Sequence, residues 1–329
     1  MPTNDVNLGG LPLIRQGPWF PGQMGVPGSD TRQGLRTHPT AVVLYVDPNH
    51  ADASDAHDGT DPDHPLATVA NAITKCAPYR GDVILVGANS GWQFANPASG
   101  YTVSIAEEVT LNVPGVRLVG SNHGALGVVW EPVTAAGAGT CITVTAMDCT
   151  IEGFAFQGGL LGGRAIFLDW NGVTAWGENA CVRHCTFDDD IDIGVEMEFS
   201  WYNEIAHCLF QECDAAGVYL DPAGSGAAYC AIHDNVFQDC LAALAVNGLD
   251  RSVIARNVIY NGLAQGAGAA TNAGIDTTAG LQNTVAENVF SCLLPVPANG
   301  DWDDLNTAGA SDAWMGNHVM NGLAITNPT

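Results

Sequence analysis

A short hydrophobic motif recurs through the second half of the chain, and its spacing predicts the fold. In each copy an aliphatic residue or methionine is followed, five positions later, by phenylalanine or another large apolar residue. The seven copies pair Ile151 with Phe156, Val182 with Phe187, Ile205 with Phe210, Ile232 with Phe237, Ile254 with Ile259, Val285 with Phe290 and Met315 with Met320. Alternate residues of a β-strand point to the same side, so each copy predicts short strands whose apolar side chains face one interior.

The interval between copies indicates that the strands are turns of a solenoid. Successive copies lie 22 to 31 residues apart, which suits one coil each. Stacked coils place equivalent residues above one another at about 4.8 Å, which predicts ladders of like side chains. The residue between the two anchors is, in successive copies, Phe154, Cys185, Cys208, Asn235, Asn257, Asn288 and His318. We therefore predict an all-β fold, a right-handed parallel β-helix, with an asparagine ladder at one bend.

The residues before the coils predict a strand, a polar loop and a helix. Residues 42–47 give an apolar strand signal, and residues 48–65 are rich in aspartate, histidine, glycine and proline. One apolar helical face follows, formed by Leu66, Val69, Ala70 and Ile73. Pro65 suits the first helical position, and a helix here would cover the exposed end of the first coil. Residues 41–90 are thus interpreted as a capping segment and residues 91–329 as the coils.

The same segment resembles the start of pectin-lyase-fold β-helix proteins. Three runs carry the similarity: Tyr45-Val46-Asp47-Pro48-Asn49, Asp58-Gly59-Thr60-Asp61-Pro62 and Pro65-Leu66-Ala67-Thr68-Val69, the last followed by Ala72-Ile73. From Val42 onward the chain looks like this family, many of whose members are encoded in bacteriophage genomes. The resemblance implies the same right-handed β-helix and, through the phage members, a structural protein of a virion.

Residues 1–40 differ from the rest of the chain. They contain six prolines, Pro2, Pro12, Pro18, Pro21, Pro27 and Pro39, among many glycines. Because proline prevents regular pairing, an extended arm with no fold of its own is predicted. The large apolar residues expected to contact a partner are Leu11, Leu13, Ile14, Trp19 and Phe20. Two interpretations stay open: the arm lies on a partner, or it packs along its own domain.

The charge balance disfavours two classes of partner. The 35 acidic residues outnumber the 10 basic ones and give a net charge of −25, which repels nucleic acid and anionic membranes. No run approaches the roughly 18 apolar residues of a membrane span, and residues 1–5 lack the basic and apolar regions of a signal peptide. We expect synthesis in the reducing cytoplasm of a host. The ten cysteines are therefore interpreted as small buried hydrophobic residues.

One acidic cluster offers candidate catalytic residues. Asp188, Asp190, Glu196 and Glu198 lie in and after an acidic run, and glycan-cleaving enzymes commonly need a pair of carboxylates. The aromatic residues near this run that suit stacking against sugars are Trp201, Tyr202 and Tyr219. The further paired motifs of polygalacturonases are absent from the sequence, however. A solvated turn and outer strand is the favoured interpretation of the cluster.

Two further groups of residues suggest metal ligands. In the loop before the predicted helix, Asp55, Asp58 and Asp61 supply oxygen atoms of the kind that calcium prefers, although a solvated loop of Asx turns explains them as well. His184-Cys185 and His207-Cys208 occupy equivalent repeat positions and are residue types that bind zinc. Adjacent strand residues point to opposite faces, so a histidine and its neighbouring cysteine do not share one ion. No cofactor is expected, and calcium is the weak alternative.

The fold alone does not decide the function, so residues outside the repeat must do so. The first hypothesis is a non-enzymatic capsid decoration or cement protein, a homotrimer on the outer capsid surface of a virion that binds the major capsid protein through its N-terminal arm. Closed symmetry suits repeated capsid sites. The alternative is a phage tailspike-type receptor-binding protein, or a glycan depolymerase that uses carboxylates on the β-helix face. A cellular polysaccharide lyase or hydrolase is disfavoured because the sequence shows neither a secretion signal nor a complete catalytic set.

Overall fold

Strands of two to five residues recur coil after coil in the computed structural model of the protein, and they form three parallel sheets. The part of the chain that the structure describes comprises residues 40–87, 105–121, 128–133, 139–157, 163–169, 177–188, 191–220, 226–261, 273–277, 280–292 and 312–320. Within these ranges there is one helix, α1 (Val69–Lys75), and it is too short to cross a membrane.

Neighbouring strands within each sheet come from successive coils. Sheet A contains β1 (Val43–Val46), β2 (Val83–Val86), β5 (Arg117–Gly120), β8 (Thr150–Glu152), β11 (Cys181–Arg183), β14 (Glu204–Ala206), β17 (Ala231–His233), β20 (Val253–Ala255), β23 (Thr284–Ala286) and β25 (Ala313–Met315). Sheet B contains β3 (Ile105–Ala106), β6 (Val128–Glu131), β9 (Phe154–Phe156), β12 (Thr186–Phe187), β15 (Leu209–Gln211), β18 (Val236–Gln238), β21 (Val258–Asn261), β24 (Val289–Cys292) and β26 (His318–Met320). Sheet C contains β4 (Val109–Leu111), β7 (Thr140–Val144), β10 (Arg164–Leu168), β13 (Ile193–Met197), β16 (Ala216–Leu220), β19 (Ala242–Ala245) and β22 (Ala273–Asp276).

The core lies inside the coils and is built from the two anchors of the repeated motif. The aliphatic anchor comes from sheet A, and the aromatic anchor comes from sheet B. Phe210 stacks between Phe187 and Phe237, with ring centroids 4.5 and 4.6 Å apart and planes within 7° of parallel. Ile205 of the same coil is fully buried. The predicted right-handed parallel β-helix is confirmed.

From β8 onward, the bend from sheet A to sheet B has only one or two residues and contains a left-handed backbone conformation. The residues with positive φ at this bend are Gly153, His184, His207, Asp234, Arg256, Glu287 and Gly316. In the later coils the next residue is an asparagine, and these residues form the ladder Asn235, Asn257, Asn288 and Asn317. In the first three, Nδ2 donates to Oδ1 of the next asparagine at 3.0–3.1 Å. All four Nδ2 groups donate to a backbone carbonyl of the preceding coil at 2.9–3.0 Å. The predicted ladder is confirmed, with Asn317 as an additional member.

The last coil shows that the predicted alignment of Met315 with Met320 was wrong by one residue. Val285 pairs with Trp314, not with Met315. Trp314 packs against the core, whereas Met315 is 55% exposed. Shifting a strand by one residue reverses the face of every side chain, and the large indole gains more from burial than the thioether. Asn317 therefore takes the ladder position that the alignment assigned to the next residue.

The helix α1 begins later than predicted. Its N-cap is Thr68, whose hydroxyl accepts a hydrogen bond from the backbone N–H of Asn71 at 3.1 Å. Leu66 is extended instead, because its backbone N–H donates to the carbonyl of Tyr45 at 2.9 Å and it bridges to Val46. Pro65 is thus not the first helical residue. Main-chain pairing with β1 outweighs the helical pattern at this point.

The capping segment is continuous with the solenoid, because β1 and β2 are the first two strands of sheet A. α1 packs next to them and β4. Of the predicted arm, residues 1–39 lie outside the described residues, and so do Leu11, Leu13, Ile14, Trp19 and Phe20. The nine cysteines whose side chains the structure describes form no disulfide, and all but Cys76 are buried, as expected of small hydrophobic residues.

We expect the asparagine ladder to stabilise the stack of coils. Asn257→Ala leaves the backbone N–H and the Nδ2 group of Asn235 without their shared acceptor. Because both groups are buried, we expect the free energy of unfolding to fall by about 2 to 4 kcal/mol. Urea denaturation followed by circular dichroism measures this. Val258→Thr, at a neighbouring residue that is 39% exposed, is the matched control and should change stability by less than about 0.5 kcal/mol. Equal effects of the two substitutions would contradict the assignment.

Candidate functional site

A row of side chains follows the bend between sheets C and A. Each sheet A strand from β8 to β23 is preceded, two residues earlier, by a residue with positive φ. These residues, here called the edge row, are Asp148, Asn179, Tyr202, Tyr229, Arg251 and Gln282. Equivalent residues of successive coils stack about 4.8 Å apart, so the row is a line about 24 Å long, parallel to the helix axis.

The centre of the edge row is an exposed aromatic stack. The rings of Tyr202 and Tyr229 lie 5.2 Å apart at 12°, and the two residues are 57% and 46% exposed. Arg251 donates from its guanidinium to the hydroxyl of Tyr229 and to Oε1 of Gln282, both at 3.1 Å. Trp201, next to Tyr202, is 39% exposed. Large aromatic side chains that remain exposed together indicate a binding surface.

The outer face of sheet C, which precedes this bend in the chain, holds a second aromatic group. Phe167, Glu196 and Tyr219 are register partners on β10, β13 and β16. Arg164 donates to the carboxylate of Glu196 at 3.0 Å, and its guanidinium lies 4.5 Å from the centre of the Phe167 ring. The Glu196 side chain is only 10% exposed. Its carboxylate therefore orients Arg164 rather than meeting solvent.

The four predicted carboxylates do not form one cluster in the described residues. Glu196 lies on β13, and Glu198 follows one residue after that strand. Asp188 instead follows β12 of sheet B, where its backbone N–H donates to the carbonyl of Phe156 at 2.9 Å. Asp190 lies outside the described residues. Of the three described residues, two thus lie on or directly after a strand of sheet C.

Two other carboxylates near this bend were missed by the sequence analysis. Asp169 follows β10 directly and is the counterpart of Glu198 in the adjacent coil, because Leu168 pairs with Met197. Burial raises the pKa of Asp169, and Arg164 opposes that shift. Burial also raises the pKa of Glu178, whose Oε1 is buried without a hydrogen-bond partner. An alignment of β10 with β13 would have found Asp169, since it stands opposite Glu198.

A charged chain of four side chains crosses the A–B bend on the outside of the coils. His233 lies between two carboxylates, with Nε2 3.0 Å from Glu204 and Nδ1 2.7 Å from Asp234. Arg256 donates two hydrogen bonds to Asp234 at 2.9 and 2.7 Å. These bonds to Arg256, together with His233, lower the pKa of Asp234 to about 2. The bond to Glu204 raises the pKa of His233, against the opposing effect of burial.

The histidine–cysteine pairs face in the predicted directions. Cys185 and Cys208 are buried in the core. The rings of His184 and His207 stack outside the coils, with centroids 5.2 Å apart. The two residue types therefore lie on opposite sides of the wall, which confirms the argument against a shared zinc ion.

The three weak calcium candidates make separate contacts instead of converging. Asp55 accepts hydrogen bonds from the backbone N–H groups of Ala67 and Thr68 at 3.1 and 3.0 Å, which fixes the start of α1. Asp58 accepts from the backbone N–H of Thr60 at 2.8 Å. Asp61 closes a similar turn two residues on, at 3.0 Å. Asx turns account for Asp58 and Asp61, while calcium binding by this loop stays a prediction.

Three parallel sheets, one short helix and a core that continues from coil to coil define a right-handed parallel β-helix protein. The sequence model of the family described as "right handed beta helix region" matches residues 133–292, which agrees with this fold. No match is found among curated proteins.

The chain is also similar to solved structures of low sequence identity. The chain is similar to a rhamnogalacturonan lyase at 14% identity, covering 77% of this chain and 69% of that one, with a TM-score of 0.45. It is similar to a lacto-N-biosidase from Eubacterium ramulus at 12% identity, covering 88% and 68%, with a TM-score of 0.43. It is also similar to a tailspike protein mutant of the E. coli bacteriophage HK620 in complex with a hexasaccharide, at 14% identity, covering 91% and 65%, with a TM-score of 0.41. Likeness at this level concerns the fold alone.

The contribution of His233 to stability should depend on pH. A raised pKa means that folding favours the protonated ring, so its contribution is complete below the unfolded-state value of about 6.5 and disappears as pH rises through the higher folded-state value. We expect His233→Gln to lower stability at pH 6 by up to about 1 kcal/mol, limited by solvent screening at Glu204, and by less at pH 9. Thermal melts across this range measure the difference.

The control for this prediction is Glu204→Gln, which removes the first cause of the shift. In the Glu204→Gln background, the loss of stability caused by His233→Gln should vary less with pH. An unchanged pH dependence would show that the ion pair with Glu204 is not its source.

Proposed function

We propose that the protein binds a linear, uncharged glycan along the edge row and the adjoining outer face of sheet C. The observation that carries this proposal is the stacked, exposed pair Tyr202 and Tyr229 at the centre of the row. The glycan would run parallel to the helix axis and span several coils. This develops the hypothesis of a tailspike-type receptor-binding protein.

The chemistry of the row suits a sugar chain. A pyranose ring has an apolar face of C–H groups, which packs against an aromatic ring, and a rim of hydroxyl groups, which needs hydrogen-bond partners. Tyr202 and Trp201 supply exposed aromatic surface. Asn179 and Gln282, on either side of the aromatic pair, supply amides, and Arg251 supplies guanidinium donors. Along this line, polar groups thus flank the aromatic pair on both sides.

The scaffold holds this line in place before any ligand arrives. Tyr229 and Gln282 are both hydrogen-bonded to Arg251. The backbone after the row is paired in sheet A, and the residues just before it are bridged between Trp201, Ala228 and Asp250. A preformed surface loses little conformational entropy on binding.

The negative charge of the protein favours uncharged glycans over anionic ones. With a net charge of −25, the protein repels anionic polymers at a distance. Arg164 and Arg251, the basic residues of this surface, are already engaged by Glu196 and by Tyr229 and Gln282. An uncharged polysaccharide therefore fits better than a uronic-acid polymer.

Glycan cleavage is a second candidate function, and Asp169 is the observation that favours it. Asp169 and Glu198 stand side by side in adjacent coils, at the end of sheet C where the chain turns towards the edge row. The pKa of Asp169 is raised by burial. Glycoside hydrolysis needs one carboxyl group that keeps its proton and a second that is ionised. We propose Asp169 and Glu198 as this pair.

The capsid-decoration hypothesis depends on residues 1–40, of which only Thr40 is described. The homotrimer, contact with the major capsid protein and a place on the virion surface therefore stay predictions. They are compatible with a glycan-binding surface, because the edge row lies on the coils and not on the arm.

Substitutions in the edge row should weaken glycan binding without unfolding the protein. Tyr202→Asn and Tyr229→Asn keep a residue type that tolerates the left-handed backbone while removing the aromatic ring. We expect each to reduce affinity by about tenfold, the loss of one stacking contact. A glycan array identifies the ligand, and isothermal titration measures its affinity.

The matched control for binding is Val236→Thr, at a residue of sheet B that is 39% exposed and lies away from the edge row. Its affinity should equal that of the unsubstituted protein. Binding that survives the Tyr202→Asn, Tyr229→Asn double substitution unchanged would place the glycan elsewhere.

Cleavage is tested by incubating the protein with the bound glycan and measuring new reducing ends. If the second function holds, Asp169→Asn and Glu198→Gln should each lower the rate by at least about 100-fold while affinity stays within about threefold. Glu287→Gln, an exposed carboxylate at the A–B bend, is the control. No release of reducing ends by the unsubstituted protein would reject cleavage and leave the binding proposal intact.

A further inference from the structure

The loop between β1 and α1 folds three potential metal ligands onto one point. Asp52, His57 and His64 each offer one ligand atom, and these atoms all lie within 4.8 Å of one another. Among the residues the structure describes, this is the one group of three or more such side chains that converges in this way. None of the three belongs to the edge row or to sheet C.

The backbone of the loop explains why these residues meet. A series of tight turns folds it back on itself: the backbone N–H of His57 donates to Ser54 at 3.0 Å, and that of His64 donates to Asp61 at 3.1 Å. Ser54 in turn donates to the carbonyl of Pro65 at 3.0 Å. The two ends of the loop are thereby joined, and residues up to twelve positions apart face each other.

We propose that Asp52, His57 and His64 bind a divalent transition-metal ion of the zinc type. Two imidazoles and one carboxylate match the ligand preference of zinc, whereas calcium and magnesium take oxygen atoms alone. Three protein ligands leave a fourth position of the tetrahedron for water.

The geometry needs only small side-chain rotations. Ligand atoms of a tetrahedral zinc ion lie about 3.3 Å apart, given bonds of about 2.0 Å. Nδ1 of His64 and Oδ2 of Asp52 are already in direct contact, and the rings of His57 and His64 lie 5.5 Å apart. The carbonyl oxygen of Pro65 is 3.2 Å from Nδ1 of His57. Such a partner outside the ligand shell fixes the orientation of a metal-binding imidazole.

The position of the site gives it a structural role. Asp55, three residues after Asp52, accepts hydrogen bonds at the start of α1, and its carbonyl accepts one from Asn71 at 2.8 Å. The ligands Asp52 and His57 lie on either side of Asp55 in the chain. A metal ion bound by them would hold the loop, and through it the helix, at the first coil. Metal binding should therefore raise the melting temperature.

The experiment uses the full-length protein without a histidine tag. Zinc chloride is titrated calorimetrically into the unsubstituted protein, and cobalt(II) absorption reports the coordination geometry. We expect one zinc ion per chain, a tetrahedral cobalt spectrum, and affinity weaker by about tenfold or more in His64→Ala and in His57→Gln. His207→Gln, a surface histidine outside the loop, is the control and should bind as the unsubstituted protein does.

Two further measurements make each outcome decisive. Melting curves without metal show whether the variants are folded; His64 and Asp52 are exposed, so Asp52→Asn provides a second variant if one fails to fold. Absence of stoichiometric zinc binding would overturn the proposal, as would equal binding by the three loop variants and the control. Displacement of zinc by millimolar calcium would also overturn it, because that would indicate an oxygen site.

Discussion

From β8 onward, each described coil turns from sheet A to sheet B with one residue in the left-handed backbone conformation, and the regular stacking of the structure depends on that turn. At most coils the residue is not glycine, so the conformation costs on the order of 1 kcal/mol each time. In the coils of the asparagine ladder this cost is offset, because the next residue points inward and forms hydrogen bonds with the backbone of neighbouring coils. Asn257 does so for the coil before it, by accepting from the backbone N–H of Asn235 at 3.1 Å. Because these turns stack in successive coils, the strands of all three sheets stay in register from coil to coil.

The same device at a second bend produces the candidate binding surface. Left-handed residues two positions before sheet A point away from the core, and stacking arranges them in a line. The line would exist whatever residues occupied it, but Tyr202, Tyr229 and Arg251 make it aromatic and hydrogen-bonded. A feature required by the fold thus provides the surface on which we propose that a glycan binds. The residues that directly follow the row in the chain, such as Asn203 and Ser252, are buried and accept hydrogen bonds from backbone N–H groups.

The ionisable groups on the two sides of the coil differ in how far neighbouring charges and hydrogen bonds compensate them. His233, Asp234 and Arg256 form a compensated chain on the outside of the A–B bend. Asp169 and Glu178 have less compensation, and burial raises the pKa of both. Perturbed carboxyl groups beside a candidate binding surface are a recurring property of active sites. That contrast distinguishes the A–B bend, where the charges are paired, from the region of the candidate site, where they are less so.

The sequence by itself determined the core, because burial of an aliphatic and an aromatic residue in every coil leaves a periodic trace that requires no knowledge of loops. It also indicated the asparagine ladder and the opposite orientations of His184 and Cys185. Only the tertiary structure decided the register of the last coil, where Trp314 displaced Met315 from the interior.

Only the tertiary structure brought together residues far apart or irregularly spaced in the chain. Asp169 meets Glu198 across 29 positions because their strands pair, and Asp52 meets His64 because a folded loop returns on itself. Such contacts depend on loop lengths and backbone hydrogen bonds. Since the lengths vary from coil to coil, they leave no periodic pattern in the sequence. The repeat therefore reveals the scaffold, and the connections between its strands determine the sites.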